Sequence, residues 1–261
     1  YSSTWLQLDS TIVTQYAGGT QALKTVTSYG YRNGVSLQPT EIKTINSKNE
    51  ETVTTRTYPS DYKGIAVYDT MITRNMVVPT IQQTNFNNNK ILMRQRTNFL
   101  RTSANLYLPS SVDKAIYSNV ADTEIVYSRY DEKGNLLEYY TKDGVIHSFL
   151  WGYNQSYLVA EVTGCGYDKA LSYINPGVLT EPTDLQLRTE LNKIRLGIAA
   201  TFATVVSYTP APLIGVTSVT DPNGRTSYYE YDGLNRLKVI KDKDGNILKQ
   251  YDYQYQVPVT Q

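Results

Sequence analysis

Residues 221–255 read DPNGRTSYYEYDGLNRLKVIKDKDGNILKQYDYQY, and this stretch decides the fold class. It holds clusters of Asp, Asn and Gly at 221–224, 232–235 and 242–245, each between two runs that suit β-strands. Asp and Asn bond their own backbone in turns, and Gly or Asn accepts a positive φ angle. The clusters therefore predict short hairpin loops that recur every ten or eleven residues.

The same turn signals continue towards the N-terminus. Clusters at 131–135, 142–144 and 152–154 follow one another in the middle of the chain. Residues 46–50 and 87–89 indicate further hairpin tips in the N-terminal half of the chain, where the repeat of turn clusters is less regular. Two hairpin units make a repeat of about twenty residues, within the range that is typical of repeat arrays and spiral sheets.

Side-chain alternation favours strands over helices. Over Ile247–Tyr255, and again over Glu124–Tyr130 and Thr52–Tyr58, residues alternate with the period of two that half-buried strands show. Thr, Tyr and Val pack well against neighbours on a pleated surface. We therefore predict a mainly β protein, in which repeated antiparallel hairpins form a large twisted or spiral sheet with a small α-helical insert.

The insert is predicted from one capping box. Thr183 and Gln186 form this box after Pro182. They predict a helix over 183–196, which is expected to end at Gly197. A shorter helix is predicted from Tyr167 to Ile174. The expected role is to cover a sheet edge or an open end, with partner binding as the alternative. The apolar stripe of the main helix consists of Leu187, Leu191, Ile194 and Ile198.

These signals predict three parts: degenerate β-hairpin repeats over 1–163, a helical insert over 164–213, and C-terminal hairpins over 214–261 that continue the same sheet. A length of 261 residues with 40% hydrophobic residues suits one or two domains. The chain begins at Tyr1 without Met, so we expect a processed form or a piece of a longer protein.

Composition argues against several classes of function. The net charge of +1 gives no excess of positive charge that would attract nucleic acid or an anionic membrane. The longest apolar candidate for a membrane span, 198–206, is too short and is interrupted by Thr. Cys165 and His147 are the single residues of their types, so neither a disulfide nor a redundant catalytic set is available.

Specific motifs then resemble a known family. A Tyr-Asp dipeptide at 231–232 returns at 251–252, in order with Gly-Arg and Asp-Gly-Asn turns, and an earlier copy begins at 130–131. This pattern resembles the RHS or YD-repeat family over roughly a third of the chain. One departure is Asn235, where the family repeat usually has Gly. The residues that carry the repeat are Tyr130, Asp131, Gly134, Asp221, Gly224, Arg225, Tyr229, Tyr231, Asp232, Arg236, Gly245, Tyr251 and Asp252.

The resemblance implies a bacterial protein that is secreted or lies in the cell envelope or on the outer surface. Family members include large envelope proteins, toxin-complex shells and animal teneurins, in which hairpins wind into a spiral sheet. The implied function is a non-enzymatic scaffold or shell segment, whose partners are upstream repeats of the same polypeptide. The alternatives are a carbohydrate- or protein-binding module and part of a toxin-delivery shell.

The repeat residues are expected to build the sheet and to carry no chemistry. The Tyr ring of the dipeptide packs across strands, and the Asp carboxylate caps the following turn. Carboxylate pairs such as Asp242 with Asp244 lie at wet hairpin tips, where burial cannot raise a pKa for acid catalysis. We therefore predict no catalytic residue, no metal and no cofactor. An enzyme such as a glycosidase would need two carboxylates that face each other in a cleft.

Aromatic residues are the best candidates for binding. The chain has 24 Tyr but only 4 Phe, and Tyr suits contacts to sugars or proteins because its apolar ring ends in a hydroxyl group. Trp151, Tyr153 and Tyr157 cluster at a predicted turn and are the candidate ligand-binding residues for a glycan or a cell-surface protein. The alternative is that Tyr fills the thin interfaces of a partly solvated sheet.

The edges of the sheet decide self-association, because unpaired strands can add another strand. The final strand is predicted over Ile247–Val257, where Lys249 and Asp252 supply charge. The N-terminal edge, near Thr20–Tyr31, carries less charge. We therefore expect a monomer or weak dimer that associates through the N-terminal edge, and Thr27→Lys should weaken that association.

Overall fold

In a computed structural model of the protein, the structure is described for residues 6–16, 18, 22–117 and 119–254. Within these residues sixteen strands form one open sheet, and each strand pairs with the next one along the sequence. The pairing is antiparallel. The predicted fold class, a mainly β protein built of repeated antiparallel hairpins with few helices, is confirmed.

The chain divides into two compact units, Tyr1–Tyr127 and Ser128–Gln261. The described residues of the first unit are mostly sheet, with one short 3₁₀ turn at Pro59–Tyr62 and one helix, α1, at Ala66–Thr73. The boundary between the units falls within β8. The strands up to this boundary are β1 (Ser10–Tyr16), β2 (Ala22–Gly30), β3 (Glu41–Ile45), β4 (Glu51–Thr57), β5 (Gln82–Asn87), β6 (Lys90–Arg101), β7 (Tyr107–Ile116) and β8 (Asp122–Tyr130).

As far as residue 254, the second unit contains the remaining strands and two helices. Helices α2 (Tyr167–Leu171) and α3 (Asp184–Ile198) lie between β11 and β12, with a 3₁₀ turn at Pro176–Leu179 between them. The strands are β9 (Leu136–Thr141), β10 (Ile146–Gly152), β11 (Tyr157–Thr163), β12 (Thr204–Ala211), β13 (Gly215–Thr220), β14 (Thr226–Tyr231), β15 (Leu237–Lys241) and β16 (Ile247–Gln250).

The capping box places α3 as the sequence predicts. The Thr183 hydroxyl accepts from the Gln186 backbone N–H at 3.3 Å, and the Gln186 side chain accepts from the Thr183 N–H at 2.9 Å. The predicted apolar stripe is fully buried, at 0–3% exposure. Among the described helices, none is long and apolar enough to cross a membrane. The members of the stripe are Leu187, Leu191, Ile194 and Ile198.

The helix α3 covers a face of the sheet, so the expectation that it covers an edge or an open end is wrong. Its stripe packs against Leu150 of β10, Val162 of β11 and Val205 of β12, all of which are buried. These three strands have partners on both sides. The apolar face of the helix therefore closes the core of the second unit.

Two predicted helix boundaries are wrong. The α3 helix continues past Gly197 to Ile198. Gly197 lies so close to Tyr173 that a Cβ there would be 2.4 Å from the ring. The predicted helix over 167–174 ends at Leu171. The insert itself is shorter than 164–213, since β12 already begins at Thr204 and pairs with β11.

The helix α1 in the first unit was not predicted. Its buried residues Tyr68 and Met71 pack with Ile81 and Tyr107 in a small core. The segment is only eight residues long and carries Val67, Ile72 and Thr73, which are poor helix formers. Tertiary packing therefore stabilises a helix that local propensity does not favour.

The N-terminal edge also differs from the prediction. The range predicted as the edge, Thr20–Tyr31, contains β2, which pairs with both β1 and β3. Thr27 lies opposite Thr11 and Thr44, so Thr27→Lys would disturb interior pairing. The edge strand is β1, whose residues are all exposed. The final strand also ends early, at Gln250, and residues 255–257 of the predicted strand lie outside the described residues.

The buried stripe of α3 predicts a sharp contrast between two leucines of the same helix. Leu191→Asp should cost at least about 3 kcal/mol in the free energy of unfolding, because it removes a core side chain and buries a charge. Leu185→Asp is the matched control, since Leu185 is 69% exposed. Urea denaturation of both variants measures the difference, and equal midpoints would contradict the packing described for α3.

Candidate functional site at the hairpin tips

The hairpin tips are where the repeat residues meet. In each C-terminal tip an Asp carboxylate oxygen accepts a hydrogen bond from the backbone N–H four residues later. For Asp221, Asp232 and Asp242 this distance is 2.8, 3.0 and 2.9 Å. The two ends of each loop also bond through the backbone, from the N–H of the Asp to the carbonyl of the fifth residue. The carboxylate thus fixes the loop, as predicted for a turn cap.

The same loop occurs earlier in the chain with Asp, Asn or Thr at the first position. Asp131 accepts from the Asn135 N–H at 2.8 Å. In the first unit, Asn46 accepts from the Glu50 N–H at 3.0 Å, and Thr102 accepts from the Leu106 N–H at 3.1 Å. The predicted tip at 46–50 is therefore present, whereas the tip that Thr102 starts was not predicted. Any short side chain with an acceptor oxygen can take this position.

The fourth residue of each loop has a left-handed backbone. Gly224 and Gly245 have φ angles of 79° and 85°. Asn235, where the sequence departs from the family pattern, has a φ of 59°, and Asn49 has a φ of 60°. A left-handed residue at this point suits the hairpin loop that ends in a bulge, and only Gly and Asn adopt it readily. Gly224 therefore has the positive φ angle that a Gly in such a turn cluster accepts.

Hydrogen bonds keep the carboxylates of Asp232 and Asp242 ionised. Hydrogen bonds from the Arg236 side chain and backbone lower the pKa of Asp232 to about 2. A hydrogen bond from the Asn246 side chain likewise lowers the pKa of Asp242. A carboxyl group with a lowered pKa is a poor proton donor near neutral pH. These groups therefore act as hydrogen-bond acceptors for the loop.

One ion pair links a tip to the next repeat. The Arg236 side chain contacts the Asp232 carboxylate at 2.5 Å and lies over the Tyr253 ring, 4.4 Å from its centroid. The Tyr253 hydroxyl then donates to the Leu237 carbonyl at 2.9 Å. Asp, Arg and the next aromatic ring therefore form one connected contact chain.

Two other aromatic side chains close their hairpins in the same way. The Tyr231 hydroxyl donates to the Val216 carbonyl at 2.9 Å, and the Trp151 indole N–H donates to the Leu136 carbonyl at 2.9 Å. Each aromatic residue lies at the end of one strand, and its acceptor lies near the start of the preceding strand. Trp151 therefore occupies the position that Tyr231 occupies in the C-terminal repeat.

The remaining repeat residues lie beside these contacts. Tyr130 ends β8, and Gly134, with φ 89°, takes the fourth position of its loop. The backbone N–H of Arg225 bonds to Asp221, and Tyr229 lies opposite Ile240. In the last repeat Tyr253 makes the carbonyl bond. The dipeptide itself is placed differently: the Tyr251 N–H bonds to the Lys238 carbonyl, and Asp252 is exposed.

The three candidate ligand-binding residues lie around one loop but have different surroundings. Tyr153 packs against the core of the second unit, and burial raises its pKa. Its ring contacts Tyr157 edge-on at 5.7 Å, and the Tyr157 hydroxyl accepts from the Leu213 N–H at 3.2 Å. Trp151 alone of the three lines a cavity of about 230 Å³. Whether these residues bind a ligand stays a prediction.

His147 and Cys165 have local partners of their own. The His147 ring stacks on Tyr139 at 4.5 Å, and its Nδ1 lies 3.3 Å from the Thr163 hydroxyl. Burial raises the pKa of the Cys165 thiol, which lowers its reactivity. Within the part of the chain that the structure describes, no group of three or more His, Cys, Asp or Glu side chains is placed to hold a metal ion.

Comparison with known proteins finds a family match over the C-terminal tips. A family model described as RHS Repeat matches residues 215–247, which include the Asp221 and Asp232 loops. The resemblance to the RHS or YD-repeat family is confirmed in this segment. No curated protein matches the sequence.

Two solved structures align with the chain at low similarity. The crystal structure of TcdB2-TccC3 is 11% identical with a TM-score of 0.39, and the alignment covers 88% of this chain and 11% of that chain. A structure of the Photorhabdus luminescens Tc holotoxin pore is 9% identical with a TM-score of 0.37, and covers 93% of this chain and 14% of that one. At these TM-scores the alignments do not establish a common fold.

The left-handed position predicts the effect of a glycine substitution. Gly224→Val should cost about 1 kcal/mol or more in the free energy of unfolding, because a β-branched residue resists a positive φ. The expected loss of stability does not come from a steric clash, since a Cβ at Gly224 would meet only Arg195 Cδ at an ordinary 3.7 Å. Gly233→Val is the control, because a Cβ there meets nothing within 4 Å and its φ is not left-handed. Equal melting temperatures would contradict the loop.

The lowered pKa of Asp232 predicts a pH dependence. Its carboxylate adds stability above its unfolded-state pKa of about 3.9, and this is lost as the pH falls towards the folded value of about 2. The difference in free energy of unfolding between the parent and Asp232→Asn should therefore become smaller as the pH falls from about 3.9 to about 2. Urea titrations at several pH values measure it, and a difference that stays constant would show that the carboxylate charge is irrelevant.

Proposed function

We propose, on the premise that residues 215–247 are an RHS repeat, that the chain is a non-enzymatic structural segment of a larger secreted or cell-envelope YD-repeat protein. In this role it supplies part of a scaffold or shell wall. A single observation supports the proposal. In each C-terminal tip, a backbone N–H of the loop donates a hydrogen bond to the carboxylate of the Asp at the start of that loop.

The tip contacts support a structural role over a chemical one. Asp232 and Asp242 each accept at least two backbone hydrogen bonds from their own loop. Their lowered pKa values suit permanent acceptors, whereas an acid catalyst needs a raised value. Groups that recur with each repeat serve the geometry of the repeat.

The sheet edges support neighbouring repeats as partners. In the described sheet, β1 and β16 pair on one side only, and every residue of both strands is exposed. An unpaired strand presents N–H and C=O groups that another strand can bind. We propose that flanking repeats of the same polypeptide occupy these edges. Alone, the chain should be a monomer or a weak dimer that associates through β1, which carries no charged side chain.

Hydrogen–deuterium exchange tests this proposal. Outward-facing amides of β1 and β16 should exchange at least about tenfold more slowly in the full-length polypeptide than in the isolated chain, because pairing protects them. The internal control is β12, which pairs with β11 and β13 and should exchange equally in both samples. Equal exchange at β1 and β16 in the two samples would contradict the proposal.

A further inference from the structure

Two arginine side chains of the first unit meet at the hairpin tip between β6 and β7. Arg74 is the C-cap residue of α1, and Arg101 is the last residue of β6. The Arg74 guanidinium group donates to the Asn105 carbonyl at 2.8 Å, and the Arg101 Nε–H donates to the Asn105 side-chain oxygen at 2.8 Å. Because both guanidinium groups bond to atoms of one residue, one small ligand can reach both of them.

The surroundings hold both groups in position. The Asn105 backbone is left-handed, with a φ of 64°, and its N–H donates to the Thr102 carbonyl at 2.9 Å. The Arg74 guanidinium group also lies over the ring of the buried Tyr107, 5.1 Å from its centroid. The remaining donors of the two side chains are therefore oriented in advance, which lowers the entropy cost of binding a ligand.

The two exposed arginines have no acidic partner. Among the described residues, no Asp or Glu forms an ion pair with Arg74 or Arg101. Residues 70–112 include five Lys or Arg but no Asp or Glu, a local excess that the net charge of the whole chain does not reveal. The acidic residues that flank this range have other partners, since Asp69 accepts from the Gly64 N–H and Asp113 accepts from the Asn98 side chain. The pair of positive charges therefore attracts an anion.

We propose that Arg74 and Arg101 together bind a phosphate group, as a phosphate monoester or free phosphate presents it. The planar guanidinium group matches the oxygen atoms of phosphate. Each guanidinium has five N–H donors, of which one is used at Asn105, so four remain on each side chain. A phosphate ester carries a charge of about −1.5 to −2 near pH 7, which matches two guanidinium groups. A carboxylate or a sulfate ester carries only a single negative charge.

This binding activity goes beyond the scaffold role, and either can hold without the other. The scaffold role depends on the edge strands β1 and β16, whereas phosphate binding depends on one hairpin tip and one helix end within the first unit. The exchange experiment at the edges does not report on this tip. A failure of one proposal is thus distinguishable from a failure of the other.

The test is an NMR titration of the full 261-residue chain, labelled with ¹⁵N, at constant ionic strength. The probes are phenyl phosphate, inorganic phosphate, phenyl sulfate and acetate. Phenyl phosphate should shift the signals of Arg74, Arg101 and Asn105 in a saturable manner, and should bind roughly fivefold or more tightly than phenyl sulfate and acetate. The two phosphates distinguish the sources of the ligand: tighter binding of phenyl phosphate would indicate an ester, and tighter binding of inorganic phosphate would indicate the free ion.

Substitutions separate binding from folding. Arg74→Gln and Arg101→Gln should each weaken phenyl phosphate binding by about fivefold or more, and Arg101→Gln keeps the test valid if loss of Arg74 destabilises α1. Asn105→Gly accepts the left-handed backbone but removes the side chain that positions Arg101, so affinity should fall by roughly two- to threefold. The matched control is Lys90→Gln, which removes one positive charge at the opposite end of β6. It should leave affinity unchanged, and melting temperatures report on the folding of every variant.

Three results would overturn the proposal. One is that neither phosphate produces a saturable shift at the signals of Arg74, Arg101 and Asn105. Another is that phenyl sulfate and acetate bind as tightly as phenyl phosphate, which would indicate attraction to any anion. The third is that folded Arg101→Gln and Lys90→Gln variants have equal affinities for phenyl phosphate, which would show that the hairpin tip is not the binding site.

Discussion

The hydrogen bond from a backbone N–H to the carboxylate four residues earlier closes the C-terminal hairpin tips, and the neighbouring contacts depend on it. In the Asp232 loop this bond is 3.0 Å long and lies beside an ion pair of 2.5 Å with Arg236. The loop can close only because its fourth residue adopts a left-handed backbone. One acceptor oxygen and one tolerant residue therefore set where each strand ends, and hence the register of the next.

The aromatic residues extend this local constraint along the sheet. Arg236, held by Asp232, lies over the Tyr253 ring, and the Tyr253 hydroxyl bonds back to the Leu237 carbonyl. In the earlier repeat Asn135 takes the place of Arg236 and bonds both to Asp131 and to the Gln155 carbonyl. A polar residue at the fifth loop position thus ties its tip to the next one. Asp131, Asn135, Asp232 and Arg236 therefore make their contacts within the repeat, which supports the proposed structural role.

Much of the second unit could be predicted because its signals are local. The Thr183 capping box, the stripe around Leu191 and the Asp loops each depend on neighbours in sequence. The features that the sequence analysis did not predict depend on contacts between residues that are far apart in the sequence. Helix α1 depends on packing against Ile81 and Tyr107, and the edge strand β1 is identified only once pairing is known. The cavity beside Trp151 likewise depends on Leu171 and Leu179, which the helical insert brings to it.

The central claim is that Asp232 and Asp242 are permanent acceptors for their loops and not proton donors. An NMR titration that follows the side-chain carboxyl carbons of Asp232 and Asp242 tests it most directly. The account predicts a pKa of about 2 for Asp232 and a pKa for Asp242 below the ordinary value of about 3.9. A pKa above about 5 for either carboxyl group would contradict it, because a raised value is what an acid catalyst requires.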